Sequence, residues 1–166
     1  MLTFKTLTIY YILLLPRIDF EMVCVNTNDT HHILRAIFRS LIREKYDKHK
    51  IIFTDGSKSE EGGGSAAIMG VKRETVSFPR VSTIFTAEMI ALRLAVKLVR
   101  SGSLEDNYLI WSDLLSALQE LNNVMTYDHL VHRVQLEFHQ IITSGYVTLM
   151  WVPSHVGIQG NEIVDI

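Results

Sequence analysis

Hydrophobic residues along the 166-residue chain follow two periods, and their alternation predicts the elements. The first apolar run, Leu7–Leu15, follows Lys5 and ends at Pro16. As a helix it would span about 14 Å, roughly half a bilayer, so it is not read as a membrane span. It also lacks the small-residue cleavage site of a signal peptide. Arg17–Thr30 reads as an extended connector, with Asp29 or Thr30 able to cap a helix over about 31–44. Ile33, Ile37, Leu41 and Ile42 supply the apolar stripe of that helix, while Arg35, Arg39 and Arg43 form a row on another face. A solvated amphipathic face accounts for the arginine row, and a phosphate-facing stripe is the sharper alternative. Lys45–Lys50 reads as a polar linker.

Extended runs follow. Ile51–Ser57 (IIFTDGS) reads as a short buried strand with an aspartate inside it. Gly62-Gly63-Gly64 predicts a turn, because glycine is unfavourable within a strand. Ser65–Gly70 and Glu74–Phe78 complete an antiparallel meander, joined at Val71-Lys72-Arg73. From Ser82 the period becomes helical: Ile84, Glu88, Ala91, Ala95 and Leu98 form a stripe, capped by Ser82 or Thr83 and stopped by Gly102. Tyr108–Trp111 is a further strand and Leu114–Leu121 a helix. Leu130, Val134, Phe138 and Ile141 mark another helix, which Gly145 ends. Val147–Val152 (VTLMWV) is unbroken apolar, as expected of a parallel strand buried on both faces. A loop from Pro153 then leads to one turn of helix capped by Asn161.

The predicted fold class is α/β. Its five-stranded mixed sheet has the first three strands antiparallel and the fourth and fifth parallel to the first, with flanking helices and a truncated final helix. Residues 1–50 are read as an N-terminal extension and linker, and 51–166 as the folded domain. Composition changes this picture little, since 48% hydrophobic and 20% charged residues suit one globular domain. The lone Cys24 excludes an internal disulfide and a cysteine-based zinc site, and it leans the expectation towards an intracellular protein, nuclear or cytoplasmic. Charge matters more. Residues 1–50 carry 8 Lys+Arg against 5 Asp+Glu, a net +3, whereas residues 51–166 carry 8 against 13, a net −5. An acidic domain meets a polyanion poorly unless it also binds cations.

The chemistry is concentrated in four carboxylates. Asp55 lies within a buried-looking strand, Glu88 in the apolar stripe of a helix, Asp113 at a strand-to-helix junction and Asp165 near the last residue. Each has an ordinary reading alone, Glu88 as a solvated helix edge and Asp113 as an N-cap. Together, on elements expected to meet at one end of the sheet, they are read as a metal site, because like charges so close repel by several kcal/mol. Oxygen-only ligands favour Mg²⁺ or Mn²⁺ over zinc, and two such ions about 3.5–4 Å apart suit in-line displacement at phosphorus.

The motifs carrying these acids, Thr54-Asp55-Gly56-Ser57, Thr86-Ala87-Glu88, Ser112-Asp113 and the tail WVPSHVGIQGNEIVD, resemble type 1 ribonuclease H. They are most similar to the ribonuclease H domains of non-LTR retrotransposon polyproteins, over about residues 51–165. The resemblance implies endonucleolytic hydrolysis of the RNA strand of an RNA/DNA hybrid, leaving a 5′-phosphate and a 3′-hydroxyl. It implies two Mg²⁺ or Mn²⁺ ions, with Asp55 as ligand to both, Glu88 and Asp113 completing one site, and Asp165 at the other. His155 would assist proton transfer or product release, Gly56 and Ser57 would offer backbone groups to the RNA strand, and Asn161 would contact substrate. A reverse transcriptase domain in a parent polyprotein is the implied partner, with no membrane association and a monomeric state. The chain departs from the family pattern at Leu114, usually serine, at Val164, usually alanine, and in ending just after Asp165. The last departure sets up the alternative expectation of a catalytically impaired remnant acting only as a nucleic-acid-binding module.

Overall fold

A computed structural model describes residues 15–19, 31–79, 82–103, 105–142 and 146–153. The elements in order are β1 (Arg17–Asp19), α1 (His31–Lys45), β2 (His49–Lys58), β3 (Gly63–Met69), β4 (Lys72–Phe78), α2 (Ile84–Arg100), β5 (Asn107–Ser112), α3 (Leu115–Leu121), α4 (His129–Ile142) and β6 (Val147–Trp151). The strands form one mixed sheet in the order β1-β6-β5-β2-β3-β4. β2, β3 and β4 make an antiparallel meander, β5 runs parallel to β2, and β6 parallel to β5. This is the expected ribonuclease H-like α/β arrangement with one correction: among the described residues the sheet has six strands, not five. The extra strand, β1, pairs parallel with β6 through Arg17–Asp19 and lies inside the segment read as a connector. Three residues are too few to display a period, so nothing in their pattern announces a strand.

Two hydrophobic layers cover the sheet. One packs α2, α3 and α4 against Ile52, Tyr108, Ile110 and Leu149. The other seats Leu34, Phe38 and Leu41 of α1 on Leu109, Trp111, Met150 and Val152. Alternation along β2 sorts its residues between them, Ile52 to the first layer and Ile51 and Phe53 to the second. α1 thus buries a stripe turned from the expected one, leaving Ile33 and Ile37 exposed at 41% and 38% while Leu34 is 2% exposed. Lys45–Lys50 is likewise no loose linker. Tyr46 is buried, its hydroxyl donates to Asp19 Oδ2 (2.5 Å), and β2 already begins at His49.

The meander turns also differ from expectation. Gly63 and Gly64 belong to β3, paired with Phe78 and Ser77, and the turn lies before them. A Cβ on Gly63 would stand 2.2 Å from the Phe78 ring, so cross-strand packing, not chain reversal, requires glycine there. Chain reversal is instead served by Gly70, at φ +59°, in the two-residue turn closed by the Met69–Lys72 pair. α2 starts as predicted at an N-cap, where Thr83 Oγ1 accepts from Thr86 N, and Lys97 and Arg100 in its last turn complement the helix dipole. Among the described residues no helix is long and apolar enough to cross a membrane.

Candidate metal centre

The parallel pair β2 and β5 sets two acids side by side. Phe53 is in register with Trp111, so Asp55 and Asp113 emerge two residues later at the same end of the sheet. Asp55 shares the parity of Ile51 and Phe53 and so projects on the α1 side. Asp113 is not the cap of α3, a position held by Leu114 without a side-chain hydrogen bond. The third acid comes from α2. A Cβ on Gly56 would sit 2.6 Å from Glu88 N and 2.7 Å from Ala87 C, so the bare backbone of β2 is what lets α2 approach. Glu88 is consequently only 2% exposed.

One ligand oxygen from each of Asp55, Glu88 and Asp113 lies within 4.8 Å of the others. At an effective dielectric of about 20, each such ionised pair repels by roughly 3–4 kcal/mol. Burial first, then the Asp113 charge, pushes the Glu88 pKa up to about 8, with Asp55 adding to the rise. The Gly56 N–H works the other way, donating to Glu88 Oε1 at 2.9 Å. Glu88 Oε2 is buried with no hydrogen-bond partner among the described residues. An orphan oxygen on a carboxylate this close to two others suits a hard divalent cation, which would remove the repulsion and satisfy the lone pairs.

The surrounding backbone is tied together beside each acid. Thr54 Oγ1 donates to Trp111 O (2.5 Å), Ser65 Oγ to Ala87 O (2.6 Å) and Trp151 Nε1 to Asp113 O (2.9 Å). Ser65 and Trp151 were not singled out by sequence reasoning. A serine in a short strand gives no signal of its helix partner, and Trp151, though it ends an apolar strand and opens the tail motif WVPSHVGIQGNEIVD, gives no signal of its bond to Asp113.

The other expected site residues fall into two groups. Gly56 lies at the centre, where its N–H donates to Glu88 Oε1. Ser57 is half-buried opposite Gly64 and lines a recess of about 490 Å³ with Lys58, Ser59 and Ser77. His155, Asn161 and Asp165 lie outside the described residues.

The RNase H family model matches residues 47–166. A search of curated proteins returned no match. With the match covering most of the chain, and with three acids from β2, α2 and β5 brought to one point, the chain belongs to the RNase H family.

Proposed function

We propose that this protein hydrolyses the RNA strand of RNA/DNA hybrids with two divalent ions, Mg²⁺ or Mn²⁺, bound at the carboxylate cluster. The observation that carries the reading is the approach of Asp55, Glu88 and Asp113 within 4.8 Å, with one oxygen of the buried Glu88 unpaired. Asp55 would serve both ions, Glu88 and Asp113 one of them, and Asp165 the other. When bound, the ions supply Lewis acidity at the scissile phosphate and charge neutralisation for the in-line displacement. The protein's own contribution is positional: Gly56 N–H fixes Glu88 Oε1 and leaves Oε2 for a cation. In the reaction a water oxygen bonds to phosphorus and the P–O3′ bond breaks. The water gives up a proton and O3′ gains one, producing a 5′-phosphate and a 3′-hydroxyl. His155 is assigned to the proton transfer or to product release, both roles open to an imidazole. Ser57 and Asn161 are assigned to substrate contact, the 2′-hydroxyl marking RNA.

The test is cleavage of an end-labelled hybrid by the full chain during titration with Mg²⁺ or Mn²⁺. Cleavage confined to the RNA strand and abolished by Asp55→Asn is the expected result. A folded sample that leaves the hybrid intact at every metal concentration would refute the assignment. The motifs further suggest a retroelement origin, with a reverse transcriptase as the partner domain. Flanking coding sequence without a reverse transcriptase would count against that origin without touching the activity.

A further inference from the structure

The metal centre has a mechanical difficulty. Its three acids come from β2, α2 and the end of β5, and when they are ionised together, as cation binding requires, their mutual repulsion pushes the end of β5 and the start of α2 away from β2. Something in the chain must hold those backbones close. The three side-chain donors beside the site each bond a backbone carbonyl at an acid or within two residues of one. Thr54, next to Asp55, donates to the carbonyl of Trp111, two residues before Asp113. Ser65 of β3, paired opposite Gly56, donates to the carbonyl of Ala87, immediately before Glu88. Trp151 of β6 donates to the carbonyl of Asp113 itself. The first bond joins β2 to β5, the second β3 to α2, and the third β6 to the end of β5, so every acid-bearing segment is held from a neighbouring element. Thr54 and Ser65 are themselves 1% and 0% exposed.

We propose that Thr54, Ser65 and Trp151 are positioning residues which preset the spacing of the three carboxylates for cation binding before substrate arrives. The proposal rests on the metal reading above. It goes beyond stabilisation of the fold, because a bond of the same kind elsewhere touches no acid-bearing segment. Gln135 Nε2 also donates to backbone carbonyls, of Leu121 and Asn123, but ties only the α3–α4 connection. Preorganised ligands bind a multidentate ion more tightly because the ion need not reorder them, and loss of such supporting contacts typically weakens metal binding by roughly ten- to a hundredfold.

The experiment measures Mn²⁺ affinity of the substrate-free full chain by the electron paramagnetic resonance signal of free Mn²⁺, alongside thermal melts. Thr54→Val removes a hydroxyl at nearly constant shape, Ser65→Ala removes another, and Trp151→Phe keeps an aromatic ring without the donor. Each is expected to weaken Mn²⁺ binding by about tenfold, while Thr54→Ser, which retains the hydroxyl, restores it. Gln135→Met serves as control and is expected to lower the melting temperature with unchanged Mn²⁺ affinity. Wild-type affinity in the three donor variants, whatever their melting temperatures, would overturn the proposal. If Ser65→Ala or Trp151→Phe fails to fold, the Thr54→Val and Thr54→Ser pair decides alone. Failure of the metal reading looks different: wild type and Asp55→Asn would then share the same negligible Mn²⁺ binding.

Discussion

Glu88 is where burial and charge meet most sharply. Its carboxyl is held at about 8 by desolvation and by the Asp113 and Asp55 charges, against an ordinary value of 4.5. Below pH 4.5 both folded and unfolded chains carry the proton. Between there and about pH 8 the unfolded chain releases it while the folded chain keeps it, so the stability this group contributes at low pH is lost progressively as pH rises. A divalent cation reverses the trend by favouring the ionised form. Thermal melts should therefore show Mg²⁺ or Mn²⁺ raising the melting temperature more at pH 8 than at pH 5, with Glu88→Gln flattening both the metal-free slope and the metal response. Equal metal shifts at the two pH values would contradict this. Gly56 makes a second prediction. With backbone atoms of Ala87 and Glu88 already 2.7 and 2.6 Å from its missing Cβ, Gly56→Ala must push α2 off β2. That overpacking should cost about 1–3 kcal/mol by chemical denaturation, with a loss of Mn²⁺ affinity. The candidacy of Asp55, Glu88 and Asp113 was legible in the chain because acids within or beside apolar runs are conspicuous. The role of Gly56 as the contact point for a helix was not, because a glycine after an aspartate reads equally well as a turn.

Among the elements, α1 departs most from expectation. Two apolar stripes lie one position apart on it, Ile33–Ile37 and Leu34–Phe38, and periodicity favours neither. The sheet chooses the second, with Phe38 set edge-on against Trp111 at 4.4 Å between ring centroids. Phe38→Ala should accordingly cost about 3–5 kcal/mol in denaturant titrations, and Ile37→Ala about 0.5 kcal/mol or less. The reverse order would restore the stripe read from the sequence. Because Phe38 covers Trp111, two residues from Asp113, α1 also supports the strand that delivers an acid. The long elements were legible throughout: α2 from its apolar repeat and Thr83 cap, and β5 and β6 from unbroken apolar runs. β1 and the glycine-bearing start of β3 were not, since pairing with β6 defines the one and packing of Phe78 against Gly63 requires the other.

Across the whole molecule, the acids gather at one end of the inner strands. β2, β5 and β6 lie inside it with helices on both faces, while β1 and β4 form its edges. Hydrogen exchange should find the slowest amides in β2, β5, β6 and α2, and faster exchange in β1 and β4, where one side of each strand has no partner among the described residues. Slow exchange in β4 would mean that its open edge is covered in solution. Part of the net −5 of residues 51–166 is concentrated in three acids at one end of the sheet, with Glu88 buried, so cation binding and fold stability are coupled.

The alternation of extended and helical periods was enough to predict an α/β fold and the order of its long elements, because these depend on local patterns of burial, and acids set against those patterns marked Asp55, Glu88 and Asp113 as candidates. The meeting of those acids was a matter of register. Phe53 pairs with Trp111, α2 reaches β2 over a glycine, and β1 and α1 close onto the sheet. No local pattern encodes such long-range contacts, because each depends on which surface the rest of the chain brings opposite it.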